Sequence, residues 1–217
     1  MGFISTFPKE KHPLYQQLER CSGIYDAYFS QLDAGRGTRD LRVTMLVRSA
    51  VSPACRIFTQ RADEFAERGV HVQAIFARLG PIEPLGAFLE IVRRLNGDDN
   101  AASSVRWAKN PSLLDAHEQL TLGTRMCWTG DCMRRSADRR NALDLFEENS
   151  LGSVHLGELA FSSMWTASKP LPGELLDAYC LSGDPRAEAG AECIAETLGE
   201  PDENTPSAVI VKLRARG

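Results

Sequence analysis

The side chains best suited to chemistry in this 217-residue chain lie between positions 117 and 165. His117 stands just ahead of an apolar-polar run, Leu120 to Trp128. Histidine ordinarily titrates near neutrality, and its neutral ring can serve as a nucleophile or a base. Between Arg125 and Arg140, five arginines (Arg125, Arg134, Arg135, Arg139 and Arg140) stand against two aspartates. Arginine keeps its charge at all relevant pH and grips phosphate with two parallel hydrogen bonds. Such a cluster suits an anion site or a patch for nucleic-acid backbone. It equally suits a solvated helix face, pairing with the chain's own acidic tail, or a surface for a partner protein. Trp128 is the one aromatic residue among these arginines, which argues against a stacking surface for single strands.

The elements that must position these groups come earlier. Leu14, Leu18, Cys21, Tyr25, Tyr28, Phe29 and Leu32 recur at spacings of three and four. They predict an amphipathic helix from Pro13, ended by Gly35 and Gly37, whose stripe covers this domain's own layers or a second subunit. Leu41–Val47 and Val70–Phe76 read as buried strands, and Ser104–Ala108 as a short one. Between the first two, Ser52 as N-cap and Pro53 at the first helical position open a helix that Gly69 stops. Leu85, Phe88, Leu89, Val92 and Leu95 mark another, ended at Asn96-Gly97. Alternation of strand and helix predicts an α/β fold with a mixed, mostly parallel sheet and helices on both faces.

Composition sets outer bounds. A hydrophobic fraction of 43% and a charged fraction of 25% are those of an ordinary globular protein. The net charge of −4 gives no global attraction to nucleic acid or an acidic membrane. No apolar run is long enough for a transmembrane helix, and residues 1–10 lack the pattern of a signal peptide. Met1-Gly2 with Thr6 meets a myristoylation pattern short enough to arise by chance. The six cysteines lack CxxC spacing and read as reduced thiols of a cytoplasmic protein. Cys127 and Cys132 flank Gly130, but with His117 they do not complete a tetrahedral ligand set, so no metal and no cofactor is expected. Beyond Trp165, breakers give way to Glu188, Glu192, Glu196 and Glu200 on one face of a short helix, then an edge strand over Ala208–Leu213. His71 reads as a structural histidine within its strand, and no Ser-His-Asp set or phosphate-binding glycine loop is present.

The order His117, Leu120–Trp128, Gly130-Asp131, Asn141 and Phe161-Ser162-Ser163-Met164-Trp165 resembles one half of a phospholipase D-like (HKD) domain. The resemblance spans roughly residues 39 to 168. It implies a histidine that attacks phosphorus, a lysine and an asparagine that hold the non-bridging oxygens, and two half-sites facing each other within a chain or across a homodimer. His117 stands at the histidine position, Gln119 at the lysine position and Thr124 at the aspartate position. The serine and asparagine of the family's Gly-Ser-x-Asn turn fall near Asp131 and Met133, while Asn141, close to Asp144, matches a downstream asparagine. Replacing lysine by glutamine removes a full charge, and one such transition-state contact is worth about 3–4 kcal/mol, or two to three decades in rate.

The chain is therefore expected to contain an N-terminal helix (1–38), a phospholipase D-like α/β domain (39–168) and an acidic extension (169–217). Its expected role is non-catalytic binding of an anionic ligand or a protein partner, as a homodimer. Ligand-binding candidates are Gln119, Thr124, Arg125, Arg134, Arg135, Arg139 and Arg140. The alternative is a homodimeric phosphodiesterase of phospholipase or nuclease type, with His117 as nucleophile, Asn141 in the site and arginines replacing the lysine. A third reading is an unrelated α/β regulatory module.

Overall fold

A computed structural model describes residues 13–35, 41–97, 103–109, 117–130 and 144–172. The N-terminal stripe forms helix α1 (Pro13–Asp33). Strand β1 (Arg42–Val47) follows, then helices α2 (Pro53–Gln60) and α3 (Ala62–Glu67), strand β2 (His71–Phe76) and helix α4 (Ile82–Asn96). Strands β3 (Val105–Trp107), β4 (Glu118–Leu122), β5 (Met126–Gly130) and β6 (Asp144–Glu147) complete most of one sheet. Helix α5 (Leu151–Ala167) and the short strand β7 (Lys169–Pro170) close the described chain.

Among the described residues the sheet has seven strands in the order β6-β5-β4-β1-β2-β3-β7. Only β1–β2 and β2–β3 pair in parallel; β1–β4, β4–β5, β5–β6 and β3–β7 are antiparallel. The α/β class holds, but the sheet is mixed and not mostly parallel. The reason lies inside Leu120–Trp128, where Gly123 adopts a left-handed φ of 57° that favours glycine and folds the run into a hairpin.

Strand alternation divides the packing. Val43, Met45, Val47, Val72, Ala74, Phe76, Leu120 and Leu122 point to one face and meet helices α1 to α4. Leu46, Ile75 and Ala77 point to the other face, where Phe161, Met164 and Trp165 of α5 cover them. The α1 stripe is buried in the chain's own core through Cys21, Ile24, Tyr25, Tyr28 and Phe29, largely against α2. Phe65 takes the edges of the Tyr25 and Phe29 rings, at centroid distances of 5.2 and 4.8 Å.

Three local expectations are corrected. The helix expected from Ser52 to Gly69 breaks at Arg61, whose φ and ψ of −107° and 21° leave the helical region. The Arg61 guanidinium there binds Asp26 and Glu64, so the break is held by a bridge to α1. Ser52 precedes α2 as expected, but its hydroxyl makes no cap bond. Instead it reaches across to β4. His71, at the amino end of β2, is exposed and takes no place in the interior. The boundary drawn at 168 falls just ahead of β7, which pairs with β3, and of Leu171, which joins the core.

Candidate functional site

The sheet geometry sets one end of the molecule apart. Strands β1, β2 and β3 run in the same direction and finish side by side. β4 runs the opposite way, so it begins where they end: Leu46 pairs with Gln119, and Arg48 N–H reaches Glu118. His117, half-buried, therefore stands at the carboxyl end of the parallel strands. In open α/β sheets this is where ligands collect, at the point where successive connections leave in opposite directions. Here the connection from β1 leads to β2, while the other neighbour of β1 is β4, reached only after β3.

The same rim receives both ends of the Arg-rich stretch. Glu118 pairs with Gly130 at the end of β5, and Gly130 pairs with Asp144 at the start of β6. Arg134, Arg135, Arg139, Arg140 and Asn141 lie between those two anchors, outside the described residues. Asp131, Cys132, Met133, the Met1-Gly2 pattern and the acidic tail with its expected strand are also outside the described residues. Asp144 accepts from Trp128 Nε1 at 2.7 Å and forms an ion pair with Arg20 of α1, so its charge is engaged at the rim.

Gln119 is one residue into β4, and its side chain turns toward α5. Its amide donates to Cys127 Sγ at 3.8 Å. Directly above it lies Gly157, where an added Cβ would stand 2.4 Å from Gln119 Nε2 and 2.9 Å from Thr121 Cγ2. Helix α5 thus approaches the sheet more closely there than any larger residue would allow. On the same face Thr44 and Thr121 share a hydroxyl–hydroxyl hydrogen bond. The Cys127 thiol is pushed up in pKa by burial, with hydrogen bonds from Gln119 and Thr129 opposing the shift. Gln119 is thus an uncharged amide, roofed by a helix.

Thr124 and Arg125 do not join this group. They form the β4–β5 turn, separated from His117 by the length of β4, about 17 Å for a five-residue strand. Arg125 contacts Asn149 Oδ1 at 3.4 Å, and its carbonyl accepts from Ser150 N–H ahead of α5. Their position favours a structural part in fixing the hairpin to α5.

Glu118, between His117 and Gln119, escapes a reading based on motif positions. It points to the face opposite Gln119 and is fully buried. One carboxylate oxygen accepts from Ser52 Oγ at 2.7 Å and from Arg48 N–H at 3.0 Å. Its charge helps raise the thiols of Cys21, pushed up to about 12, and Cys55, though burial is the larger cause for both. Three cations also sit at this end: Arg48 directly follows β1, while Arg78 and Lys109 each lie two residues past β2 and β3. A basic residue just beyond each successive parallel strand was the sequence signal for them.

No protein-family model matches the chain, and no curated protein matches it either.

Proposed function

We propose that this chain is a degenerate phospholipase D-like domain that binds an anionic ligand without hydrolysing it, as a homodimer. The observation that carries the reading is the shared rim. His117, the carboxyl ends of β1 to β3, and both anchors of the Arg-rich stretch lie at one end of the sheet. The carboxyl ends of parallel strands are where α/β sheets take ligands, and arginine grips phosphate with two parallel hydrogen bonds.

Loss of catalysis is supported by the surroundings of Gln119. A phosphoryl transition state needs positive charge placed before reaction. The amide under Gly157 has none to offer, and its donor is already directed at Cys127. The homodimer is supported by the outer side of α5, which exposes Leu151, Leu156 and Leu159 beside His155 and the Glu158–Arg42 ion pair. A largely apolar face whose one carboxylate is already paired meets its own copy across a twofold axis with little like-charge repulsion.

The phosphodiesterase reading keeps one supporting observation, the position of His117 at the carboxyl end of the parallel strands. Thermal unfolding in the presence of phosphate or polyphosphate separates the binding reading from an inert scaffold. A raised melting temperature that is lost in Arg139→Glu with Arg140→Glu supports binding, and no shift with any of these anions counts against it. Light scattering that finds a monomer removes the dimer.

A further inference from the structure

We infer that two copies of this chain meet through an antiparallel pair of α5 helices, Leu156 of each packed on the partner's Leu159, so that their two His117 rims lie at opposite ends. This deepens the homodimer of the proposed reading and rests on it. Helix α5 meets the sheet through Val154, Gly157 and Phe161. At 3.6 residues per turn, Gly152, Leu156, Leu159 and Ser163 share the opposite face. All four are exposed, the two leucines by 68% and 52%. A surface helix ordinarily keeps its polar side outward. Here the sheet beneath Gly157 offers Gln119, Thr121 and Cys127, while leucines point away from it.

Three details fit that outer face for burial. Ser163 Oγ donates to the Leu159 carbonyl at 2.9 Å, and Thr166 Oγ1 to the Ser162 carbonyl at 3.0 Å, so both hydroxyls keep a partner when covered. Glu158, the only acid in the sequence of α5, is bound by Arg42 at 2.8 Å. Leu145 of β6 pairs with Thr129, which pairs with Gln119; it therefore lies on the same sheet face as α5, and it is 49% exposed. Leu156, Leu159 and Leu145 together expose apolar surface on the order of a few hundred Å², the range in which a patch marks an interaction site. The flanks of α5 and β6 add toward the roughly 800 Å² that each side of a standard interface buries.

The spacing of the stripe selects a second copy as the occupant. Gly152, Leu156, Leu159 and Ser163 run small, large, large, small at intervals of four, three and four, a pattern that reads the same from either end. Turned end for end across a twofold axis, each Leu156 lies opposite the partner's Leu159 and each Gly152 opposite the partner's Ser163, so the helices close in where the side chains are small. An acidic membrane is disfavoured, because the sequence of α5 holds no lysine or arginine. Helix α5 starts at the hairpin end of the sheet, where Ser150 N–H donates to the Arg125 carbonyl. It runs toward the carboxyl ends of the parallel strands, where Phe161 meets Ala77 and Ala108. Reversing the helix therefore sends the second rim to the far end, and each rim binds its anion alone.

Sedimentation equilibrium of the full chain tests the pair. Leu156→Glu with Leu159→Glu should raise the dissociation constant about tenfold or more. If that variant fails to fold, Leu156→Gln with Leu159→Gln takes its place. Charge pairs read the register. Gly152→Glu with Ser163→Lys sets opposite charges together in antiparallel order, and should dimerise about tenfold more tightly than Gly152→Glu with Ser163→Glu. The monomeric leucine variant should keep the rise in melting temperature that phosphate gives wild type. A dimer undisturbed by the leucine variants overturns the α5 pair and leaves the homodimer standing. Equal weakening by the two charge variants overturns the antiparallel order. A monomeric leucine variant that loses the phosphate shift of wild type overturns the separate rims. A monomeric wild type overturns the pair and the homodimer together; leucine variants that then melt lower show that a segment of the same chain covers α5 instead.

Discussion

Ser52 Oγ donates to Glu118 Oε1 at 2.7 Å, across 66 residues of sequence, and so fastens the β1–α2 loop to the first residue of β4. A buried carboxylate in apolar surroundings is tolerated only when hydrogen bonds compensate its lost hydration. Here the Ser52 hydroxyl and the Arg48 N–H supply two of them. Removing the acceptor strands both donors, and an unsatisfied buried donor costs about 1–3 kcal/mol. Glu118→Ala should therefore lower unfolding free energy more than Ser52→Ala, and Glu118→Gln, which keeps an oxygen, should lie between wild type and alanine. Urea titrations of the three variants check the order; equal stability of Glu118→Ala and wild type would remove the fastening role.

Gly157 should not tolerate a methyl group. Alanine is the better helix former by about 1 kcal/mol, yet a Cβ there meets Gln119 Nε2 at 2.4 Å and Thr121 Cγ2 at 2.9 Å. Overpacking of this kind costs about 1–3 kcal/mol. We expect Gly157→Ala to be destabilising and to be partly rescued by Gln119→Ala, a coupling that a double-mutant cycle measures.

A lysine at position 119, where the proposed phospholipase D-like reading would have one, should not confer hydrolysis. Lys at position 119 would place an ammonium beneath α5, against Gly157, Thr121 and Cys127. Desolvating it without an anion is unfavourable. Gln119→Lys should unfold at lower urea concentration and gain no phosphodiesterase turnover; a gain in turnover would show that the missing charge was the only defect.

Alkaline pH should destabilise the fold through its core thiols. Cys21 is pushed up to about 12 and Cys55 is also raised, chiefly by burial, from an ordinary value near 9. The folded state then binds more protons than the unfolded chain above about pH 9. The stability these thiols contribute is complete below that pH and falls as pH rises toward 12. Urea midpoints at pH 8 and pH 10 should differ more for wild type than for Cys21→Ala. At neutral pH the buried Cys21, Cys55 and Cys127 should resist a thiol reagent until the protein is unfolded.

Local pattern carried the elements whose burial follows one period. The α1 stripe is an example: Cys21, Tyr25, Tyr28 and Phe29 are all buried as their spacing required. Strands β1 and β2, and the stop of α4 at Gly97, also follow from short-range signals. Long-range partners were not legible. Ser52 looks like a cap because its position before Pro53 is that of a cap, and only the fold brings Glu118 within reach of its hydroxyl. At the break in its helix Arg61 binds Asp26, 35 residues earlier, a partner that local sequence does not reveal. The hairpin in Leu120–Trp128 was hidden because Gly123 sits inside a run whose alternation continues on both sides. For the site, motif spacing singled out His117, which the fold puts at the carboxyl end of β1 to β3, and passed over Glu118, Arg48, Arg78 and Lys109. Those four become neighbours only through the parallel register of β1 to β3 and the antiparallel return of β4.

The proposed absence of catalysis is tested most directly by turnover of bis(p-nitrophenyl) phosphate by the purified chain. With the uncharged Gln119 amide beneath α5, we expect no release of nitrophenol above the blank, and the same trace for His117→Ala. Steady turnover in wild type that His117→Ala abolishes would contradict it.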